Sequence, residues 1–359
     1  MDKTNSVSFI KLDINNSLHL EFMKKNVRDF YDINVARWQY ADTDLSTGLF
    51  FAVKENVLIS SQGMIPIYLN IQGDKSLTAK SESSFLLREF HGKGIFEDLY
   101  SHTIQTSVQD GIQIVWGFTA LSIIWRRKLK FHVYDGLIHE SELQISFYRS
   151  LFSHDTAKNT LIFKCKKLLK SIYSEIKFKK RAHIHKEFSA IFLDINNRDL
   201  IDSISGLYER WRINYPDYVS LNCDNSYLKW RIVDNPIKKY KIVGIYKKDV
   251  IVGMCILNAD IGKSYMLDFI VPEKELLIPC FDTLLIHLKK HTYISRIIFW
   301  ASGKNDYSNS VHKLLKCYGA YLYINGNMNF VIKNLSETSE KMDISNFYLN
   351  GLWTEGFKI

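Results

Sequence analysis

Proline and glycine are both scarce in this 359-residue chain, with 5 and 17 copies. That excludes collagen-like and proline-rich low-complexity chains, and it makes any cluster of glycines informative. Cysteine is rare and odd in number: Cys165, Cys223, Cys255, Cys280 and Cys317, with no C-x-x-C pair. A disulfide framework is disfavoured, and reduced thiols in a cytoplasmic protein are expected. No run of about 18 uncharged apolar residues occurs, which argues against a spanning helix. The start of the chain, residues 1–13, has an early acid and no apolar segment, so a secretion signal is not expected. No G-x-S-x-G occurs, which argues against the common hydrolase layouts.

What remains is a globular composition, 46% hydrophobic and 24% charged. The length suits two domains. Lys and Arg number 47 against 38 Asp and Glu, a net +9 that favours anionic partners. Aromatics reach 14%, so ring packing should dominate the cores.

Hydrophobic periodicity divides the chain into two halves with one order of elements. The first half reads as a short strand, a helix, a hairpin turning at Lys54-Glu55-Asn56, a third strand, a helix from Ile95, a buried strand, a helix and a strand. The second half repeats this order, with its hairpin at Lys247-Lys248-Asp249. Residues 157–186 differ, with ten Lys or Arg and apolar residues Ile162, Cys165, Leu169, Ile172 and Ile176 at helical steps. They read as a basic amphipathic helix, a candidate for weak contact with a membrane surface. The expected organisation is therefore 1–155, a linker at 156–190, a second domain at 191–335 and a tail at 336–359. The tail's aromatics, Phe347, Tyr348 and Trp353, should dock onto a domain.

The most informative stretch is Phe85-Leu86-Leu87-Arg88-Glu89-Phe90-His91-Gly92-Lys93-Gly94-Ile95-Phe96. A strand enters a glycine turn, and a helix starts at once. Backbone N–H groups and the positive end of a helix dipole then converge, which is a site for phosphate oxygens. The third glycine of a dinucleotide fingerprint is missing, and so is the Gly-Lys-Ser/Thr of a Walker loop. His183-x-His185 has the spacing of a metal pair but no third ligand nearby, so no metal is expected.

In this context the segment Arg88–Ile95 resembles the pyrophosphate loop of the GNAT superfamily of acyl-CoA N-acyltransferases. Leu129-Lys130-Phe131 resembles that family's Leu-Gly-Phe at the end of its fourth helix, with Lys130 in the glycine position. The resemblance implies an α/β (α+β) protein of two tandem GNAT-like domains. Each domain is a mixed, mainly antiparallel twisted sheet flanked by helices. The second is degenerate, because Val271–Ile278 has no glycine turn.

The resemblance further implies acetyl-CoA, or another acyl-CoA, as co-substrate. Pantetheine would lie on Phe85, Leu86 and Leu87, and the pyrophosphate on His91, Gly92, Lys93, Gly94, Ile95 and Phe96. Glu82, on the strand entering the loop, is the candidate catalytic base. Trp38 and Tyr40 are candidates for stacking on the acceptor. The Tyr that often protonates the leaving thiolate would fall near Arg126 and is absent. A small amine is the expected acceptor, with an amino sugar of bacterial surface-polysaccharide synthesis as the first guess. A stable nucleic acid partner is not expected. Two alternatives stand beside this one: an aminoacyl-tRNA-dependent peptidyl transferase, and a non-catalytic protein that binds CoA or a sugar.

Overall fold

A computed structural model describes residues 7–29, 31–41, 45–145, 161–195, 197–259, 263–291, 294–324, 328–335 and 342–354. The boundaries expected at 155 and 336 fall outside them. The first half contains β1 (Ser8–Lys11), α1 (Ser17–Asn26), α2 (Ile33–Ala36), β2 (Gly48–Lys54), β3 (Val57–Ile71), β4 (Asp74–Leu86), α3 (Ile95–Gln109), β5 (Ile114–Thr119), α4 (Ser122–Arg127), β6 (His132–Tyr134) and β7 (Ile138–Gln144). The second half opens with α5 (Leu161–Arg181), β8 (Phe188–Leu193), α6 (Arg198–Asn214), β9 (Ser220–Leu221) and α7 (Asn225–Leu228). It continues through β10 (Tyr240–Lys247), β11 (Val250–Ala259), β12 (Lys263–Ile270), α8 (Leu277–His291), β13 (Arg296–Ser302), α9 (Asp306–Cys317), β14 (Tyr321–Ile324) and β15 (Asn329–Asn334).

The strands form two sheets. One runs β1-β2-β3-β4-β5-β15-β6, and the other β8-β10-β11-β12-β13-β7-β14. The two orders match position by position. The strand between the fifth and last positions is exchanged: β15, from the end of the chain, lies in the first sheet, and β7, from the first half, in the second. Accordingly, one compact unit falls within residues 1–70, 74–135 and 327–342, and the other within 71–73, 136–326 and 343–359. Contiguous halves at 1–155 and 191–335 therefore do not describe the packing, because the exchanged strands take their hydrogen bonds from the opposite half.

Local sequence explains the elements that frame the site. Lys54 pairs with Val57 across a two-residue loop, Glu55 and Asn56, at φ of 51° and 63°. This is the left-handed hairpin turn that suits strand twist. Its counterpart joins Lys247 to Val250, with Lys248 at φ 56°. Ile95, Leu99, Thr103 and Ser107 recur on one face of α3 and are buried. Tyr100 of that helix meets Trp125 and Phe131 edge-on, at 5.3 and 5.8 Å between centroids. That aromatic cluster ties α3, α4 and β6 to the sheet.

The halves also share a less common element. Asp32 caps α2 through the N–H groups of Asn34 and Val35, and a π-helical turn, Arg37–Ala41, follows. Asp224 caps α7 through the N–H of Tyr227, and a π turn, Lys229–Val233, follows. Trp38 and Trp230 sit at the same offset from their caps. The aromatic-basic stretches of the two halves are therefore equivalent parts of a duplicated fold.

Candidate active site

β4 and β5 are paired in parallel only from Thr78↔Ile114 to Lys80↔Trp116. β4 then continues to Leu86 and β5 to Thr119, and the two diverge. They are tight where they part, since a Cβ on Gly117 would stand 3.0 Å from the Ser81 carbonyl oxygen. Beyond this point a cleft of about 690 Å³ opens between Ser81–Leu86 and Phe118–Leu121. Arg28, His91, Gly92, Phe96, Glu97, Trp125 and Lys128 also line it.

Side chains of β3 hold β4 in position along the cleft. Ser61 donates to the Ser83 carbonyl at 2.9 Å, and Ser60 donates to that of Phe85. The Gln62 amide donates to Ser81 Oγ at 2.9 Å and accepts from Ser84 Oγ at 2.6 Å. Ser83 lies in mid-strand at φ 56°, a left-handed conformation that a serine adopts only under tertiary constraint. The Tyr40 hydroxyl supports it, donating to Ser83 Oγ at 3.1 Å. Tyr40 reaches that position because Gly63 has no Cβ; one would lie 2.2 Å from the phenol oxygen.

The glycine turn closes one end of the cleft. Gly92 and Gly94 both take φ 77°, and a Cβ on either would meet nothing within 4 Å. Gly94 is the N-cap of α3 and offers no side-chain oxygen, so no side-chain cap satisfies the first N–H groups of the helix. The His91 ring donates from Nε2 to the Leu86 carbonyl at 3.1 Å.

Glu82 is the charged centre of the cleft. Its carboxylate meets Lys80 Nζ at 2.7 Å and is bonded to Arg28. Lys80 is 2% exposed. Burial raises the Glu82 carboxyl, but the Lys80 ammonium and the Arg28 guanidinium outweigh it and hold the pKa at about 2. Glu82 is therefore a fixed anion at neutral pH and a poor proton acceptor.

Of the residues singled out from the sequence, Glu82, Phe85, Leu86, His91, Gly92 and Phe96 line the cleft together. Leu87, Lys93, Gly94 and Ile95 belong to the same turn but stand behind it. Leu87 donates to the Ile59 carbonyl at 2.9 Å, and Ile95 packs in the core beside Leu99. Trp38 and Tyr40 are outside the lining and are 4% and 6% exposed, so neither presents a ring face for stacking. His183 and His185 bracket a buried carboxylate. The His183 N–H and the His185 ring both bond Asp282 Oδ2, at 3.3 and 2.9 Å. Sequence reasoning missed Arg28 and Lys80. Lys80 was findable, since it shares a strand face with Glu82 two residues on.

The second unit has the same divergence with a different content. Its last parallel pair is Met266↔Phe299, and two residues beyond stands Asp268, as Glu82 stands two beyond Lys80. Here the chain's own end fills the gap. Ser302 donates to the Leu349 carbonyl at 3.0 Å, Asn350 bridges Ala301, and a Cβ on Gly351 would lie 2.8 Å from the Leu267 Cα. Phe347, Tyr348, Leu349, Leu352 and Trp353 are all buried, as expected of the tail's aromatics. Asp268 is sealed beneath them, accepting from Tyr208 Oη at 2.6 Å and Tyr348 Oη at 2.5 Å. In place of the glycine turn stands a 3-10 turn, Lys274–Leu276, entered through Glu273.

No family model and no curated protein matches the sequence. Solved structures do match the fold. A GCN5-related N-acetyltransferase of Anabaena variabilis superposes with a TM-score of 0.62 at 13% identity, over 92% of this chain and 73% of that one. A tandem GNAT protein from the clavulanic acid biosynthesis pathway gives 0.54 at 10%, over 94% and 100%. The N-myristoyltransferase of Saccharomyces cerevisiae with bound myristoyl-CoA gives 0.55 at 10%, over 99% and 86%. At such identities the likeness is one of fold, and the fold is of the tandem GNAT type.

Proposed function

We propose that this tandem GNAT-type chain is an acyl-CoA-dependent N-acyltransferase with one working cleft, in the first unit, and a small amine as acceptor. One observation carries the reading. The cleft between β4 and β5 is open and ends on a glycine-preceded helix start, whereas its counterpart in the second unit is occupied by the chain's own tail.

The residues suit an acyl-CoA. The N–H groups at the start of α3 lack a side-chain cap, and Gly92 and Gly94 leave them open to approach. The Lys128 ammonium adds positive charge for a pyrophosphate, and the His91 ring lines the cleft beside the turn. The diverging edge of β4 at Phe85 and Leu86 offers peptide groups and apolar surface to a pantetheine arm. When bound, the CoA thioester supplies an activated acyl group.

The chain's own part is binding and orientation. The Ser83 kink turns β4 along the cleft, and the β3 serines hold it there. Glu82 anchors Lys80 and Arg28 beside the reacting centre and takes no proton near neutrality. The proton of the attacking ammonium leaves to water, and no Tyr stands at position 126 to serve as the acid. As acceptor, an amino sugar of surface-polysaccharide synthesis is the first compound class to test, on the strength of the family resemblance.

The test is calorimetric titration of acetyl-CoA into the wild-type protein and into a Gly92→Asp, Gly94→Asp variant, with melting curves for both. Micromolar binding that is lost in a folded variant supports the reading. An acceptor screen that follows thiol release then identifies the amine. Absence of binding to the wild type overturns the proposal.

A further inference from the structure

One face of α5 fastens it to the rest of the second unit. Ser174 Oγ donates to the Gly319 carbonyl at 3.3 Å, and a Cβ on Gly319 would come within 3.1 Å of the Ser174 Cα. Glu175 takes Lys289 Nζ at 2.7 and 2.8 Å, and the same ammonium lies 4.3 Å from the Phe178 ring centre. The opposite face carries Leu169, Ile172, Tyr173 and Ile176, spaced i, i+3, i+4 and i+7. They are 65%, 40%, 47% and 49% exposed. An apolar stripe at helical spacing ordinarily faces a core. Here Leu169, Ile172 and Ile176 face away from the residues that anchor the helix, and Tyr173 at the edge of the stripe lies against Gly319.

The charges around the stripe select its partner. The segment Leu161–Arg181 carries eight Lys or Arg against a single acid, Glu175, which Lys289 already neutralises. Lys179, Lys180 and Arg181 are exposed at the helix end, and Lys177 lies 5.5 Å from the Tyr173 ring centre. A second copy of this helix would bring like charge against like charge. A hydrocarbon surface with anionic headgroups satisfies both features at once. The stripe enters the acyl boundary, a Tyr suits the interface, and the lysines reach phosphates. Among the described residues no helix is long and apolar enough to cross a membrane. The geometry points to α5 as an in-plane anchor that docks this protein on anionic lipid.

The experiment is co-sedimentation of the full chain with two kinds of vesicle: phosphatidylcholine alone, and an equimolar mixture with phosphatidylglycerol. Wild type should partition onto the anionic vesicles roughly a hundredfold or more above the neutral ones, and high salt should abolish the difference. Leu169→Gln with Ile176→Gln should cut that partition roughly tenfold or more by removing apolar area. Lys177→Gln, Lys179→Gln and Lys180→Gln together should cut it by roughly a hundredfold, at about fivefold per lysine. Leu169, Ile176, Lys179 and Lys180 are exposed and Lys177 is half-buried over the Tyr173 ring, so both variants should melt close to wild type. Equal sedimentation with both kinds of vesicle refutes the proposal, as do variants that bind like wild type. If wild type ignores lipid and the stripe variant instead changes the oligomeric state, the face belongs to a protein partner and the lipid assignment is wrong.

Discussion

Replacing Glu82 with Gln tests how the charges of the cleft are held. The substitution removes the anion between Lys80 and Arg28 while keeping the shape of the side chain. Lys80 is 2% exposed and Glu82 19%, so solvent screens the interaction weakly. A carboxyl held at about 2 against an ordinary 4.5 contributes about 3 kcal/mol at neutral pH. Leaving a buried ammonium without its anion costs a similar amount, about 3–5 kcal/mol. For a domain of this size, about 3 kcal/mol lowers the melting temperature by roughly 6–12 °C.

The sign with pH is fixed. The folded-state pKa is depressed, so the stabilisation is complete above pH 4.5 and fades as pH falls toward 2. The gap between wild type and Glu82→Gln should therefore be constant from pH 8 to 5 and narrow below 4.5. Calorimetric melts at a series of pH values read this directly. Lys80→Met combined with Glu82→Gln should recover part of the loss, because the paired charges leave together. A Glu82→Gln protein that melts within about 1 °C of wild type, or strictly additive single changes, would refute the ion-pair account. If Glu82 served instead as the base of the proposed acyl transfer, its rate would lose a pH limb in Glu82→Gln. The expected result is a lower rate with an unchanged profile.

Three further outcomes follow from single residues. Lys130 stands at φ 58°, the conformation that a glycine takes without strain, so Lys130→Gly should stabilise the first unit by up to about 1 kcal/mol in a denaturant melt. Gly351→Ala places a Cβ 2.8 Å from the Leu267 backbone, which should cost about 1–3 kcal/mol and expose residues 343–354 to limited proteolysis. Burial raises Asp268 to about 6 despite bonds from Tyr208 and Tyr348; the stability tied to it is complete below pH 3.8 and is lost as pH rises through about 6. Asp268→Asn should remove that decline in a pH series of melts.

The elements that form each core were legible in the sequence, and the two exchanged strands were not. Both hairpins, the α3 stripe and the glycine turn announce themselves through period, turn residues and φ requirements. β7 did not, because Ile138-His139-Glu140-Ser141-Glu142-Leu143-Gln144 alternates like a half-exposed edge, yet it lies between β13 and β14. Glu142 tolerates that position through Arg296 at 3.5 Å and the Tyr323 hydroxyl at 2.7 Å, contacts far apart in sequence. β15 was missed for the same reason, since its partners β5 and β6 lie some 200 residues upstream. At the site, the loop and Glu82 were visible. Of the two cations that set the state of Glu82, Lys80 was findable on the same strand face but Arg28, far off in sequence, was not, and neither was the burial that removes Trp38 and Tyr40 from the acceptor side.

The acids at equivalent places of the two sheets sit in opposite environments. Glu82 and Asp268 stand at one place in one fold, two residues past the point where parallel strands part. In the first unit the neighbours are cations and a cleft, and the acid is held ionised. In the second the neighbours are two tyrosine hydroxyls and a tail of apolar and aromatic side chains, and the acid is pushed toward neutrality. The tail supplies to the β12–β13 gap what an elongated ligand with peptide groups would supply: backbone bonds to Ser302 and Ala301 and an apolar body against the sheet. A strand pair that diverges leaves edge groups exposed, and such groups must find partners. The second unit meets that demand from within its own chain. Among the described residues the first unit has no segment of its own lying in the gap, and its strand edge stays open there, as the proposed acyl-CoA site requires.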